Sequence, residues 1–206
     1  AMIDLSANPA SIVPAPAFDL TQPLDKVTLD HVVTATFPSD VNAVLAVLAS
    51  AEIIGLGDHL EARTIQYLLD RAQFGEPIGK FQALRHLAAD NKLWLENARV
   101  AVEYAAAALD QFRADRQSGN EGDHDSMMRA VAVAKSYSSR AARKIARDAI
   151  QLHGGMGFSW ELGLHVPIRR LVRLSNAFGS AIDYNERLLD LAPPPGQAYS
   201  FSQGKG

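Results

Sequence analysis

The sequence predicts a mainly α protein: an antiparallel four-helix bundle preceded by a short β segment. Three observations lead there. Proline and period-two alternation are confined to residues 1–37, where Pro9, Pro14, Pro16 and Pro23 exclude helix interiors. From Pro38 onward the chain turns to Ala, Leu, Arg and Glu, with apolar residues recurring at spacings of three and four. Glycine-rich or proline-containing breaks then cut that stretch into three long segments and a shorter terminal pair.

The elements follow in order. Ala17-Phe18-Asp19-Leu20 and the alternating run Lys26 to Val32, which includes His31, read as short strands, two or three in all. A lone hairpin is marginal in water, so this segment must dock on the helices or belong to a larger sheet. Ser39 and Asp40 mark a helix start. The first helix is predicted from about Asp40 to Gln73 on a stripe of Val44, Leu45, Leu48, Ile54 and Leu56, and it stops at Phe74-Gly75-Glu76-Pro77-Ile78-Gly79. The second runs from about Lys80 to Asp115, burying Phe81, Leu84, Ala88, Asn91, Leu95, Ala98 and Val102. After the linker Gln117 to Gly122, Asp125 or Ser126 caps a third helix that Gly154 and Gly155 end. A short helix over about Val166–Leu174 and a last one over Ser175–Leu191 precede Pro193-Pro194-Pro195 and a polar, flexible tail, 193–206. Brief connections between long helices favour antiparallel neighbours. The division is therefore 1–37, 38–192 and 193–206.

Composition narrows the function. At 206 residues, 48% of them hydrophobic, the chain can bury one sizeable core. A net charge of −3 gives no broad basic field for nucleic acid or an anionic membrane. No stretch reads as the roughly 20 apolar residues that span a bilayer, and the first residues do not resemble a signal peptide. The chain has no cysteine, which removes disulfides and thiolate chemistry and makes the cytoplasm the expected location. His86 and His153 have no partner at metal-ligand spacing and read as packed or surface residues, so no metal is expected. Trp94 and Trp160 read as core or interface residues.

Three stretches carry more specific information: Arg71-Ala72-Gln73-Phe74-Gly75-Glu76-Pro77-Ile78-Gly79-Lys80-Phe81-Gln82, Ala149-Ile150-Gln151-Leu152-His153-Gly154-Gly155-Met156-Gly157-Phe158, and Arg169-Arg170-Leu171. Taken as residues, Arg71 carries a planar donor fork suited to a pyrophosphate, and Gly154-Gly155 lets a phosphate or base approach the backbone. The plain alternative makes Arg71 a surface ion-pairing residue and Phe74-Gly75 a helix stop. In order and spacing the stretches resemble the C-terminal helical domain of acyl-CoA dehydrogenases, over roughly Phe18 to Ala192.

That resemblance implies that residues 1–37 are the last strands of a β-domain. It also implies that Arg71, Gln73, Phe74, Gln151, Gly154 and Gly155 bind the FAD of a neighbouring subunit, the arginine on its pyrophosphate and the Gln-Gly-Gly stretch along its adenosine half. An oligomer follows, and the implied substrate is an acyl-CoA thioester that loses an α-proton to a glutamate as the flavin takes a β-hydride. Here the two positions at which the family places that base hold Phe178 and Leu45, neither of which can accept a proton. Glu52, seven residues past Leu45 and on the same helix face, and Asp183, five past Phe178, are weak candidates for a relocated base or else structural carboxylates. Two functions stay open. One is a subunit or truncated portion of an FAD-dependent acyl-CoA dehydrogenase, acting on fatty acyl or steroid side chains with a homologous catalytic partner or a second copy. The other is a non-catalytic oligomerisation module that has lost flavin.

Overall fold

The computed structural model describes residues 10–29 and 40–192. Two antiparallel strands, β1 (Ala10–Ala15) and β2 (Leu24–Leu29), precede helices α1 (Val41–Asp70), α2 (Gln82–Gln117), α3 (His124–His153), α4 (His165–Asn176) and α5 (Ala181–Asp190). A two-residue ladder, β3 (Ala72–Gln73) with β4 (Glu76–Pro77), joins α1 to α2. The mainly helical expectation is met.

Cross-helix contacts set the directions. Asp40 at the start of α1 accepts from Arg113 near the end of α2 (2.7 Å), and Asp58 accepts from Arg99 (2.6 Å), so these helices are antiparallel. Trp94 stacks on Tyr137, and Ala101 and Tyr104 meet Ala130 and Val133, so α2 and α3 are antiparallel too. Helix α3 is the central element, packed on α1, α2, α4 and α5.

The apolar stripe of α1 overlaps the expected one in part: Ile54 is buried in the core, and Val44 and Leu56 pack against it. Leu48 is exposed and Val44, Leu45 and Leu56 are half-buried, whereas Ala43, Ala46, Ala49, Ser50, Ile53, Gly57 and Leu60 face the core. Small residues permit close approach: a Cβ at Gly57 would lie 2.5 Å from Leu95 Cδ2. Ser50 and Ser138 satisfy each other where α1 meets α3 (3.0 Å). On α2 the buried stripe runs from Asn91 and Leu95 to Leu109 and Phe112; Phe81 is exposed, and Leu84 packs in a separate small cluster with Leu68, Ile78 and Leu152.

Boundaries shift for local chemical reasons. Helix α1 ends at Asp70 rather than Gln73, because Ala72 and Gln73 pair with Pro77 and Glu76 instead. Asp123, not Asp125 or Ser126, caps α3 by accepting from the Ser126 N–H (2.8 Å). Ser175 and Asn176 finish α4, and α5 starts six residues later than expected, at a capping box of Ser180 and Asp183. Ala17–Leu20 is largely turn, with β1 lying N-terminal to it. Ser39, His31, Val32 and the tail from Pro193 lie outside the described residues.

One expectation needs correction: α1 is long and apolar enough to cross a membrane by length and composition. In the fold its core face packs against α2, α3 and α4.

The β1–β2 hairpin is fastened to the helices by charge. Asp19, fully buried in the turn, accepts from the Thr21 N–H (2.9 Å), the Thr21 hydroxyl (2.6 Å) and Arg170 (3.1 Å). Burial raises the Asp19 pKa, but these bonds and the Arg170 charge outweigh it and hold it below the usual value. Gln22 receives both Arg170 and Arg173.

Candidate functional site

The site forms where α1 and α3 end side by side. Arg71 leaves the helix in an extended conformation; its N–H donates to the Tyr67 carbonyl (2.9 Å) and its own carbonyl accepts from the Ile78 N–H (2.8 Å). These bonds fix the backbone from which the guanidinium projects. Between Gln73 and Glu76 the chain turns through Phe74 (φ 56) and Gly75 (φ 85), both left-handed, as a two-residue turn of type I′ requires. Glycine accepts that conformation freely, whereas a phenylalanine is strained there. Phe74 is nonetheless 91% exposed, with only an edge contact to Phe81 (6.1 Å between centroids). A strained and exposed aromatic points to use by a ligand or partner rather than to packing.

Opposite it, α3 stops at His153 because Gly154 takes φ 57, ψ −137, open essentially to glycine alone. A Cβ added at Gly154 or Gly155 would meet nothing within 4 Å, so this backbone faces open space. Gly157 differs, since a Cβ there would lie 2.5 Å from the Ile150 carbonyl oxygen. Its glycine serves packing.

Arg71, Gln73, Phe74, Gln151, Gly154 and Gly155 all line one open pocket of about 480 Å³ between these two helix ends. Residues 80 positions apart in sequence thus meet. The arrangement offers a cationic fork, two amide side chains, an exposed ring and bare glycine backbone. That donor set suits a pyrophosphate flanked by a planar heterocycle, and so fits the ADP half of a dinucleotide such as FAD.

Two further pocket residues carry information that sequence reasoning did not extract. Tyr67 stacks on His153 (4.4 Å between centroids) and donates its hydroxyl to the His153 carbonyl (3.3 Å), tying the two helix ends together. His153 Nδ1 lies 2.7 Å from the Ala149 carbonyl, which can only accept, so Nδ1 carries the proton. Burial, joined by the Arg63 charge, holds the imidazole pKa below its ordinary value despite that bond, and the neutral ring keeps Nε2 as an acceptor. The signal was the position of Tyr67, one helical turn before Arg71.

The residues at the expected base positions lie elsewhere. Phe178 sits at φ 60, its carbonyl accepting from the buried Tyr184 hydroxyl (3.0 Å), and Leu45 is half-buried on α1. Neither lines the pocket. Glu52 lines a different, larger cavity of about 580 Å³ with His59 and Arg170. Its Oε1 receives both Nε (2.7 Å) and Nη2 (2.6 Å) of Arg170, which commits it to an ion pair. Asp183 accepts from the Ser180 N–H (2.7 Å) in the capping box, and that bond leads in lowering its pKa. Trp160 is exposed rather than core: its ring meets His165 at a tilt of 56° (4.0 Å between centroids), and Arg169 lies 5.4 Å from both its ring and that of Phe18.

Comparison with known proteins agrees with this geometry. The family profile described as acyl-CoA dehydrogenase, C-terminal domain, matches residues 46–180. Acyl-CoA dehydrogenase FadE34 of Mycobacterium tuberculosis is 30% identical over 183 residues, which is 87% of this chain and 24% of that protein. Acyl-CoA dehydrogenase IpdE2 of Mycolicibacterium smegmatis is 30% identical over 157 residues, 76% of this chain and 45% of that one. Among solved structures, a glutaryl-coenzyme A dehydrogenase in complex with glutaryl-CoA superposes with a TM-score of 0.75 at 25% identity, covering 91% of this chain and 48% of the other. The chain thus spans less than half the length of each of these relatives. With the profile, the relatives and the fold in agreement, the chain belongs to the acyl-CoA dehydrogenase family, and the region it matches is that family's C-terminal domain.

Proposed function

We propose that this chain acts within an acyl-CoA dehydrogenase assembly by clasping the ADP half of an FAD whose flavin ring is seated on a neighbouring subunit. The observation that carries the reading is the convergence of Arg71, Gln73, Phe74, Gln151, Gly154 and Gly155 on one pocket. Bound FAD would supply the hydride acceptor for α,β-desaturation of an acyl-CoA thioester. In that role the Arg71 fork takes pyrophosphate oxygens, Gln73 and Gln151 offer amide bonds to the sugar and base edges, and Gly154-Gly155 lets the nucleotide lie against bare backbone. Neutral His153 offers Nε2 to a hydroxyl or amino donor. Phe74 shields one side of the ligand from water.

Proton abstraction is assigned to a partner. Leu45 and Phe178 cannot accept a proton, Glu52 is held by Arg170, and Asp183 caps α5. Supporting precedent comes from the steroid acyl-CoA dehydrogenase Tcur3481-Tcur3483, which matches with a TM-score of 0.71 at 25% identity over 92% of this chain and 50% of that one. A mixed assembly with a base-bearing homologue, acting on an acyl or steroid-derived CoA thioester, is therefore the preferred form. The competing reading, an oligomerisation module without flavin, draws on the same two apolar base positions.

Titrating the purified chain with FAD, alone and with a base-bearing homologue, separates the two. Saturable quenching of flavin fluorescence that is lost in Arg71→Ala supports the clasp. No binding in either mixture sinks it and leaves the module.

A further inference from the structure

Arg169-Arg170-Leu171, the third of the motif stretches, has no part in the flavin-motif pocket. Leu171 is buried in the core, and Arg170, with Arg173 nearly one turn on, holds the hairpin through Asp19 and Gln22. Arg169 has neither task. It is half-buried, yet among the described residues its guanidinium has no hydrogen bond and no carboxylate partner. It lies instead 5.4 Å from the ring centres of both Phe18 and Trp160. Aromatic rings offset part of a cation's charge but leave its N–H donors unused.

These three residues line a cavity of about 290 Å³ that shares no residue with the flavin-motif pocket. Its rings are costly to leave in water: Phe158 is 80% exposed, Trp160 65% and Phe18 60%. His165, whose ring lies against Trp160, has its Nδ1 buried without a hydrogen-bond partner among the described residues. The wall of one cavity thus holds two polar groups that lack partners. It is also built in advance. Phe18 precedes Asp19, which Thr21 and Arg170 hold in place. Arg63 ties the loop that carries Trp160 to α1 by donating to the Leu162 carbonyl (2.5 Å), and the Trp160 carbonyl accepts from the Gly163 N–H (3.0 Å). Groups fixed before contact lose little freedom on binding.

Charge and shape identify the ligand. One uncompensated arginine balances one negative charge, and its planar fork matches the two oxygens of a carboxylate. A phosphate dianion calls for a second cation or a cradle of backbone N–H groups. The described lining offers neither. Arg169 is its one arginine or lysine, and its one glycine, Gly157, is closed off, with its Cβ position 2.5 Å from the Ile150 carbonyl oxygen. The rest of the wall is apolar and mostly aromatic, which suits a planar ring, and the volume suits a small fused-ring compound rather than a dinucleotide.

We propose that this cavity is a second ligand site, which binds the carboxylate of a small planar aromatic acid on Arg169 with the ring laid against Phe158. The site is independent of the flavin clasp.

Calorimetric titration of the FAD-free chain with 2-naphthoate tests this. Saturable binding is expected, at least about tenfold weaker in Arg169→Gln, as loss of a charge-assisted pair predicts. Phe158→Leu, at a position too exposed to matter for folding, should bind several-fold more weakly with helical circular dichroism unchanged. 2-Naphthamide, the same ring without the charge, should bind the wild-type chain no better than 2-naphthoate binds Arg169→Gln. AMP, an aromatic ligand that carries a phosphate, should not displace 2-naphthoate. No saturable binding, unchanged affinity in either variant, equal affinity for the amide, or displacement by AMP would overturn the proposal. Arg71→Ala should leave 2-naphthoate binding unchanged; a loss there would put the ligand in the flavin-motif pocket and overturn it as well. A chain that takes 2-naphthoate but not FAD retains this site while the flavin clasp fails.

Discussion

The two halves of α1 use polar residues in opposite ways. At its C-terminal end Arg71, Gln73 and, from α3, Gln151 face an open pocket, and the backbone there turns left-handed at Phe74 (φ 56), where it costs energy, and at Gly154 (φ 57), where glycine adopts it freely. Nearer its N-terminal end Glu52 is locked to Arg170, which also holds the buried Asp19, while Leu45 carries no polar group at all. Among the described residues one end keeps side-chain donors without partners, as a ligand site does. The other has its charges neutralised and serves to dock the hairpin. Substitutions should therefore separate flavin affinity from folding according to which end they touch.

The largest effect is expected at the closed end. Arg170→Met takes the nearer cation from the buried Asp19 carboxylate and leaves it only Arg173, 3.6 Å away; breaking a buried pair typically costs roughly 3–5 kcal/mol. Because the hairpin is otherwise exposed, the loss should appear as collapsed hydrogen-exchange protection in Leu24–Leu29 rather than as global unfolding. FAD affinity should be untouched. Equal loss of both properties would erase the distinction between the two ends.

Between the ends lies Glu61, buried on α1 with neither carboxylate oxygen bonded among the described residues. Burial dominates and lifts its pKa from 4.5 to about 7; Lys92 and Lys144 oppose the shift, and Asp58 and Glu96 add to it. The folded state thus retains a proton that the unfolded chain releases, so stability is fully present below pH 4.5 and is lost as pH rises to about 7. The shift corresponds to roughly 3 kcal/mol at and above neutrality. Glu61→Gln should flatten this profile, with a Tm advantage over wild type that grows from pH 4.5 to 7 and then levels. Parallel Tm profiles for the two proteins would show that Glu61 finds a partner on ionisation.

At the open end, Arg71→Ala should weaken FAD binding by about 2 kcal/mol, on the order of thirtyfold in Kd, as expected for loss of a charge-assisted hydrogen bond. Thermal stability should change by less than about 0.5 kcal/mol, because the side chain is exposed and the fold uses its backbone. A stability loss as large as that of Arg170→Met would place Arg71 among structural residues.

The sequence carried the two ends unequally. The open end was legible because its motifs are local runs of sequence, a helix stop beside an arginine and a glycine pair, that resemble those of acyl-CoA dehydrogenases, and that resemblance implied which residues to expect there. All six residues picked from those motifs meet in the structure. The closed end was not, because its logic is long-range. Nothing near Arg170 announces a carboxylate 151 positions away at Asp19, or one 118 away at Glu52. The face of α1 was legible only in part, with Ile54, Val44 and Leu56 in or against the core and Leu48 exposed, for a related reason. That helix is apolar around most of its circumference, so periodicity cannot choose a side, and small residues such as Ala46 and Gly57 mark the core through close approach rather than hydrophobicity. The late start of α5 followed from reading through Ala177–Ser180, where Phe178 takes the φ of a glycine.

The smallest effect sharpens the comparison most, because strain and use are separable at Phe74. A left-handed non-glycine residue costs about 1 kcal/mol relative to glycine. Phe74→Gly removes the strain while discarding only an edge contact with Phe81, so chemical denaturation should show a net gain or no change. If the ring shields bound nucleotide, the same variant should bind FAD several-fold more weakly, a gain in stability set against a loss in affinity. Phe74→Asn, which tolerates the left-handed conformation without supplying a large ring, should behave in the same way. A variant that gains stability and keeps full affinity would show that the exposed ring serves another contact, and the open end would then owe its binding to Arg71 and the glycine backbone alone.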